Sequence, residues 1–411
     1  MPQNLAHTAD SAEITLVSRR IESLDHAKEP SKPKQATVTF HIPSLDGLRG
    51  GAFLLVFFGH ALPAAMLRFV PPAFGVTVFF VLSGYLITTL LRREVDKSGT
   101  VGFKEFYLRR ALRILPPFYI VLFVSSMLTE IHAVDGQVTL PAMGAYMLHA
   151  ANYWHIYRGL DEIPGGTSVY WSLSVEEHFY LLFPLLYWGM RRWQWSAKQQ
   201  LGTILTICAA VLVWRVTLFS VFDASHERLY RASDTRVDAI LAGCALAVYG
   251  NPIMDRSRIS DATWRWVLLP LGVAVLLGTS LYRAPLFQEA IKGSLQAAAL
   301  IPLFVVAVRC PSWGPMRILN TKVMGFVGLL SYGLYLIHRT VLSLVETWVS
   351  PNLLVLVPLA LGISIAFCYA LHVYVEEPCA KLRKRLGAAK KAKKAPPRRM
   401  PTPMHPHVAM G

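Results

Sequence analysis

Residues 44–66 read SLDGLRGGAFLLVFFGHALPAAM: a polar, charged head, an apolar run, then a histidine where a membrane helix should tolerate none. If the helix starts near Asp46, Arg49 falls in its first turn and His60 eleven residues later, about 16 Å along the axis at ~1.5 Å per residue. That spacing predicts Arg49 at a membrane surface and His60 near mid-bilayer. A charged side chain at that depth costs about 2.5 kcal/mol or more, so such residues face a bundle interior or a watered cavity. The bland alternative is a neutral imidazole hydrogen-bonded between helices. The polar company that His60 keeps favours a functional role.

Composition sets the class. The chain is 54% hydrophobic over 411 residues and carries a formal net charge of +16, and its apolar residues come in runs of about twenty. This predicts an all-α, polytopic integral membrane bundle with disordered termini. The polar first forty residues have no apolar core followed by a small-residue cleavage site, so no signal peptide is expected and the amino terminus should stay cytoplasmic. Five scattered cysteines show neither a disulfide framework nor metal-ligand spacing, and no metal is expected.

Apolar segments lie near 46–67, 73–91, 108–129, 169–189, 200–222, 236–250, 266–283, 289–308, 323–346 and 353–375, which predicts about ten transmembrane helices. The doubtful piece is 138–156. Counting it as an eleventh span would put every later basic loop, and the tail, outside. With ten spans most of the 41 Lys and Arg residues fall on the cytoplasmic side, so this piece is expected to be re-entrant or interfacial on the outer side. The expected organisation is a disordered cytoplasmic tail over 1–40, a membrane domain over 41–380, and a basic, disordered cytoplasmic tail over 381–411. That last tract suits anionic inner-leaflet lipid and needs no nucleic acid.

Four further clusters stand out. In FYLRRALRILPPFYI, Arg109, Arg110 and Arg113 lie at the inner end of the third span, and Arg110 and Arg113 share a helix face. Guanidinium forks so spaced suit a polyphosphate, although arginine there also serves topology alone. Arg49 lies at the same surface, so a cytosolic anionic donor could bind these arginines with its reactive end reaching toward His60. In YWSLSVEEHFYLLFP, Glu176 and Glu177 enter an apolar segment, and Glu176 and Tyr180 fall on one face. DTRVDAILAG carries Asp234, Arg236 and Asp238, and SYGLYLIHRT carries Tyr332, Tyr335 and His338. In each case interhelical pairing competes with a substrate-binding role.

SLDGLRGGAFLLVFFGH, GVTVFFVLSGYLI, YLRRALRILPPFY, YWSLSVEEHFYLLFP, DTRVDAILAG, SYGLYLIH and VYVEEP come in the order and at about the spacing of the membrane-bound acyltransferase 3 family. The chain resembles that family over about residues 41–380. The resemblance implies a bacterial O-acyltransferase of surface polysaccharides, peptidoglycan, lipid-linked sugars or some antibiotics. It implies His60, separated from Arg49 by ten intervening residues, as the catalytic histidine, Arg110 and Arg113 as servants of an acyl-CoA donor, and Glu176 as the family's acidic residue. The chain departs from the common pattern at Gly50 and Gly51, where bulkier residues are frequent, and at Thr77, where an acid is frequent. No extracytoplasmic hydrolase-like domain is read after the last span.

The expected function is transfer of an acyl group, most simply acetyl from acetyl-CoA, to a hydroxyl of a carbohydrate such as an exopolysaccharide, lipopolysaccharide or lipid-linked sugar. The expected catalytic residues are His60 as general base, Glu176 as orienter or acceptor-site group, and Arg49; Arg109, Arg110 and Arg113 would bind the donor. Ser83, Tyr180, Asp234, Arg236, Tyr332 and His338 are the expected substrate contacts. An acyl-enzyme on His60 or Ser83 is a rival route. Alternative functions are a transporter or flippase for a sugar conjugate, or acylation of a small macrolide-type acceptor. The expected place is the bacterial inner membrane with both termini cytoplasmic; oligomeric state is not readable.

Overall fold

The structure, a computed structural model, describes residues 42–63 and 72–394, and among these every regular element is helical. The long helices are α1 (Pro43–Ala61), α2 (Pro72–Ser98) and α3 (Phe103–Glu130). Two short ones follow, α4 (Leu140–Met147) and α5 (Ala151–Arg158). Then come α6 (Trp171–Arg192), α7 (Ala197–Ser220), the short α8 (His226–Arg231) and α9 (Ser233–Val248). The order closes with α10 (Asp261–Leu281), α11 (Phe287–Arg309), α12 (Lys322–Trp348), α13 (Leu353–Leu371) and α14 (Glu377–Lys394).

Ten long helices through α13 follow the ten apolar segments, but only seven of the described helices are long and apolar enough to cross a membrane. The other three are α1, α6 and α9. Asp46, Arg49 and His60 lie in α1, Glu176 and Glu177 in α6, and Asp234, Arg236 and Asp238 in α9, which has only 16 residues. Each of these three helices carries one of the polar clusters, and α9 is also too short; the clusters of α3 and α12 sit in helices that meet the criterion. The protein is a polytopic helical membrane bundle. In α7, α10 and α13 the apolar stretches are at most 22% buried within the protein, so their apolar surface is left for lipid to cover.

Three boundaries differ from expectation. Helix α1 stops at Ala61, because Leu62 is extended (φ −96°, ψ 148°) ahead of Pro63, and a residue before proline disfavours the helical conformation. His60 thus sits in the last turn of α1 instead of midway along a longer helix, and the remainder of the expected first span lies outside the described residues. Segment 138–156 forms α4 and α5, each about 12 Å long at 8 residues. Neither can span. The loop after them dips into the bundle: Gly165 N donates to Thr129 Oγ1 at 2.8 Å, and Thr340 Oγ1 donates to Gly165 O at 3.0 Å. The basic tail, expected to be disordered from 381, starts as helix and continues to Lys394, since its Lys, Arg, Leu and Ala residues are good helix formers and no proline intervenes before Pro396. Residues 1–40 and 395–411 lie outside the described residues.

Two close helix pairs bring the polar clusters together. A Cβ at Gly328 would lie 1.9 Å from Asp46 O, so α1 and α12 meet backbone to backbone, and one at Gly47 would lie 1.9 Å from Leu319 O, just ahead of α12. The same contact explains Gly50, whose Cβ would come 2.7 Å from Met324 O. Helices α2 and α9 touch likewise at Gly84 and Gly243. Deeper polar ties include Arg215 Nη2 to Asp238 Oδ2 at 2.7 Å, both side chains 2% exposed, which joins α7 to α9. Ser294 of α11 completes that pair by donating to Asp238 at 2.5 Å.

Candidate active site

The contact of α1 with α12 places two imidazoles side by side. His60 Nδ1 lies 3.1 Å from His338 Nε2, with ring centroids 5.2 Å apart. The hydrogen positions follow from what surrounds them. His338 Nδ1 approaches Tyr335 O at 2.9 Å and Leu334 O at 3.2 Å, and carbonyl oxygens only accept, so this nitrogen carries the proton. His338 is fully buried and meets Phe53 edge to face, and among the described residues no carboxylate is hydrogen-bonded to it to pair with a second ring proton. Its Nε2 is then an acceptor, and His60 Nδ1 must donate to it. The Nε2 of His60 is left with its lone pair, on a side chain that stays half-buried. Sequence reading placed His338 among the expected substrate contacts; in the structure it lies beside His60.

Glu176 belongs to a different cluster. Ser83 Oγ donates to Glu176 Oε1 at 2.6 Å, and Tyr180 Oη lies 3.2 Å from Glu176 Oε2 and 3.0 Å from Ser83 Oγ. The i, i+4 pairing of Glu176 with Tyr180 is as expected, and α2 supplies the third member. None of the described hydrogen bonds joins Glu176 to His60. Tyr332 donates to Ile114 O at 3.1 Å and lies within electrostatic reach of both glutamates.

Arg110 lies over the Tyr180 ring at 5.1 Å, and Arg49 and Arg113 are its charged neighbours. Arg49 also pairs with Asp46 at 2.8 Å. Arg49, Ser83, Arg110, Glu176, Glu177 and Tyr332 lie deep in the bundle yet are only half-buried. Arg109 is held apart by an ion pair to Glu94 at 2.7 Å. Sequence reading missed Arg383 of α14, which comes within electrostatic reach of Arg113 and Arg109. Its signal was the basic tract itself, which reads as a lipid-facing tail until the fold returns it to α3.

The remaining candidates separate. Asp234 accepts from Arg228 and from Trp214 Nε1, at 2.9 and 2.8 Å, at the rim of the bundle. Arg236 lies against Phe80, Trp171 and Tyr230, with its guanidinium carbon 5.8, 6.0 and 5.3 Å from the ring centroids. Among the described residues no group of three or more His, Cys, Asp or Glu side chains is placed to hold a metal ion.

Residues 42–373 match the family described as an acyltransferase domain, acyltransferase 3. The chain belongs to the acyltransferase 3 family. It is therefore a membrane acyltransferase, and the transporter reading falls behind. The peptidoglycan O-acetyltransferase OatA of Listeria monocytogenes serovar 1/2a is 29% identical over 315 residues, covering 74% of this chain and 50% of the relative. The O-acetyltransferase OatA of Staphylococcus aureus is 27% identical over 321 residues, covering 75% and 52%. The chain spans about half the length of these relatives. No solved structure matches it.

Proposed function

We propose that the chain transfers an acyl group, in the simplest case acetyl, from acyl-CoA to a carbohydrate hydroxyl, with His60 as general base. The observation that carries this reading is the imidazole pair: His338 holds the His60 Nδ1 proton and leaves Nε2 free to accept another. In direct transfer His60 Nε2 takes the hydroxyl proton as the oxygen attacks the thioester carbonyl. The carbon–sulfur bond breaks, and the proton passes to the departing thiolate, giving an ester and free coenzyme A thiol. Neutral imidazole is basic enough for this near neutral pH. Glycans, peptidoglycan among them, are the acceptor class that the relatives' names support.

The donor's phosphates fit the arginine cluster. Arg49, Arg110, Arg113 and Arg383 bring four guanidinia to one end of the bundle, and among the described residues their one ion pair to a carboxylate is that of Arg49 with Asp46. Arg49 lies about 16 Å along α1 from His60, so a donor held at the arginines needs an extended arm to reach the imidazole. Changing Arg110 or Arg113 to Ala should weaken acyl-CoA binding by about tenfold or more, with Lys compensating only in part because it lacks the fork. Equilibrium binding to purified protein measures this. Unchanged affinity in both Ala variants would leave these arginines with a topological role only.

The Ser83 hydrogen bond to Glu176 favours one second route, in which that hydroxyl carries the acyl group between donor and acceptor. Mass spectrometry of donor-treated protein distinguishes the two, since a covalent acyl-Ser83 that an acceptor discharges would replace direct transfer.

The reading places the arginine end in the cytoplasm and the end bearing α4, α5 and α8 outside, in a bacterial inner membrane. Reporter fusions after residue 160 and at the carboxy terminus should then read outside and inside respectively. An external carboxy terminus would invert the donor and acceptor sides.

A further inference from the structure

Helices α2, α8 and α11 enclose a cavity of about 150 Å³ whose lining includes Thr77, Tyr230, Arg236, Gln288, Glu289 and Lys292. It lies at the end of the bundle opposite the donor arginines. Arg236 is one turn into α9, and Thr77 is near the start of α2, whereas Arg49 and Arg110 are near the starts of α1 and α3. Arg236 is 7% exposed, its Nε has no hydrogen-bond partner, and no carboxylate pairs with it among the described residues. The neighbouring Arg215 is buried too, but Asp238 neutralises it. Glu289 is engaged with His226 at 2.8 Å, and Lys292 donates only to the neutral Gln288. The cavity therefore holds an excess of positive charge.

A buried guanidinium without a counter-ion is costly, and three aromatic rings offset only part of that cost. What they do is hold the plane of the fork. Gly293 leaves the room for it, since a Cβ there would lie 3.0 Å from Arg236 Nη1. Gln288 and Glu289 sit in a π-helical turn, Phe287–Ile291, of the kind often found at functional sites. The cavity is also joined to the imidazoles. Arg236 lies over Trp171, the next residue Ser172 is hydrogen-bonded to Tyr335 Oη at 2.6 Å, and His338 follows one turn later in α12.

Resting on the carbohydrate-acceptor reading, we infer that this cavity is an acceptor subsite for an oxyanion borne by the sugar, with Arg236 as the bidentate partner and Lys292 as the supporting charge. Its size suits one carboxylate or phosphate group and the ring edge that bears it. The subsite makes this enzyme select acidic saccharides over neutral ones of the same shape.

The test uses the full chain purified in detergent. Equilibrium binding is measured for an oligosaccharide ending in glucuronate, for its neutral methyl ester, and for the matching glucose oligosaccharide carrying a phosphate. At least one anionic probe should bind about tenfold or more tighter than the neutral ester, as a charge-assisted bidentate bond implies. Arg236→Gln should bring that ratio to about one, and Arg236→Lys should keep part of it. An advantage confined to the uronate identifies a sugar acid, and one confined to the phosphate identifies a phosphorylated acceptor. Lys292→Gln, at the edge of the cavity, should lower the ratio in the same direction and supplies the answer if Arg236→Gln fails to fold. No preference for either anion, or a preference that survives both substitutions, overturns the proposal. Because binding is read without turnover, loss of acyl transfer by the parent protein would count against the acyltransferase chemistry and not against this subsite.

Discussion

Replacing His60 with alanine is expected to lower acyl transfer by about a hundred- to ten-thousand-fold, the range over which a positioned general base contributes. Donor affinity should stay near that of the parent, because the arginine cluster lies about 16 Å away along α1. His60→Gln separates chemistry from packing. Glutamine can still donate to His338 Nε2 and roughly fills the space, but it has no basic lone pair near neutral pH. It should therefore fail as badly as alanine if the imidazole takes the hydroxyl proton, and recover in part if His60 only bridges α1 to α12. The measurement is thioester consumption by purified protein in detergent or liposomes, supplied with acyl-CoA and a glycan. Transfer at the parent rate in both variants would remove His60 as the base and leave the Ser83 route.

The second large effect belongs to His338, a positioning residue that acts through His60. Losing the group that fixes the tautomer of a catalytic imidazole costs as much as about ten-thousand-fold where it has been measured. His338 offers a neutral acceptor and not a carboxylate, so His338→Ala is expected to lower the rate by a smaller factor, about a hundredfold. A mere packing role would show as lower thermal stability with an unchanged pH–rate profile. A positioning role should reduce kcat with little change in donor KM and alter the pH profile, because the His60 ring is no longer held in one tautomer. His338→Gln, whose amide oxygen can accept from His60 Nδ1, should recover part of the loss. A His338→Ala enzyme with the parent's rate and pH profile would reduce the imidazole pair to an interhelical contact.

Most of the chain's organisation was legible in the order of its residues. Apolar runs of about twenty separated by basic loops mark helices without knowledge of how they pack, because each helix satisfies its own backbone hydrogen bonds. Asp46, Arg49, His60, Glu176, Asp234 and Arg236 stood out for the same reason, since charge in an apolar run is costly wherever the run ends up. Local chemistry also carried the pairing of Glu176 with Tyr180, which needs only one helix. What sequence reading passed over was equally local in one case: Pro63 ends α1 and shortens the first helix.

Which polar residues meet was decided by tertiary structure. Nothing within α1 announces that His60 will face His338, 278 positions away; that follows from Gly50 and Gly328 letting two backbones touch. Glu176 read equally well as the orienter of His60, and only the packing of α2 against α6 assigned it to Ser83. Arg236 and Asp238 are two residues apart and looked like one polar patch. The fold sent Asp238 to Arg215 and left Arg236 without a counter-ion, facing a cavity. A sequence shows which side chains cannot be left in lipid alone, because that cost belongs to each residue. Which partner relieves the cost depends on distances between helices, and those exist only once the bundle has formed.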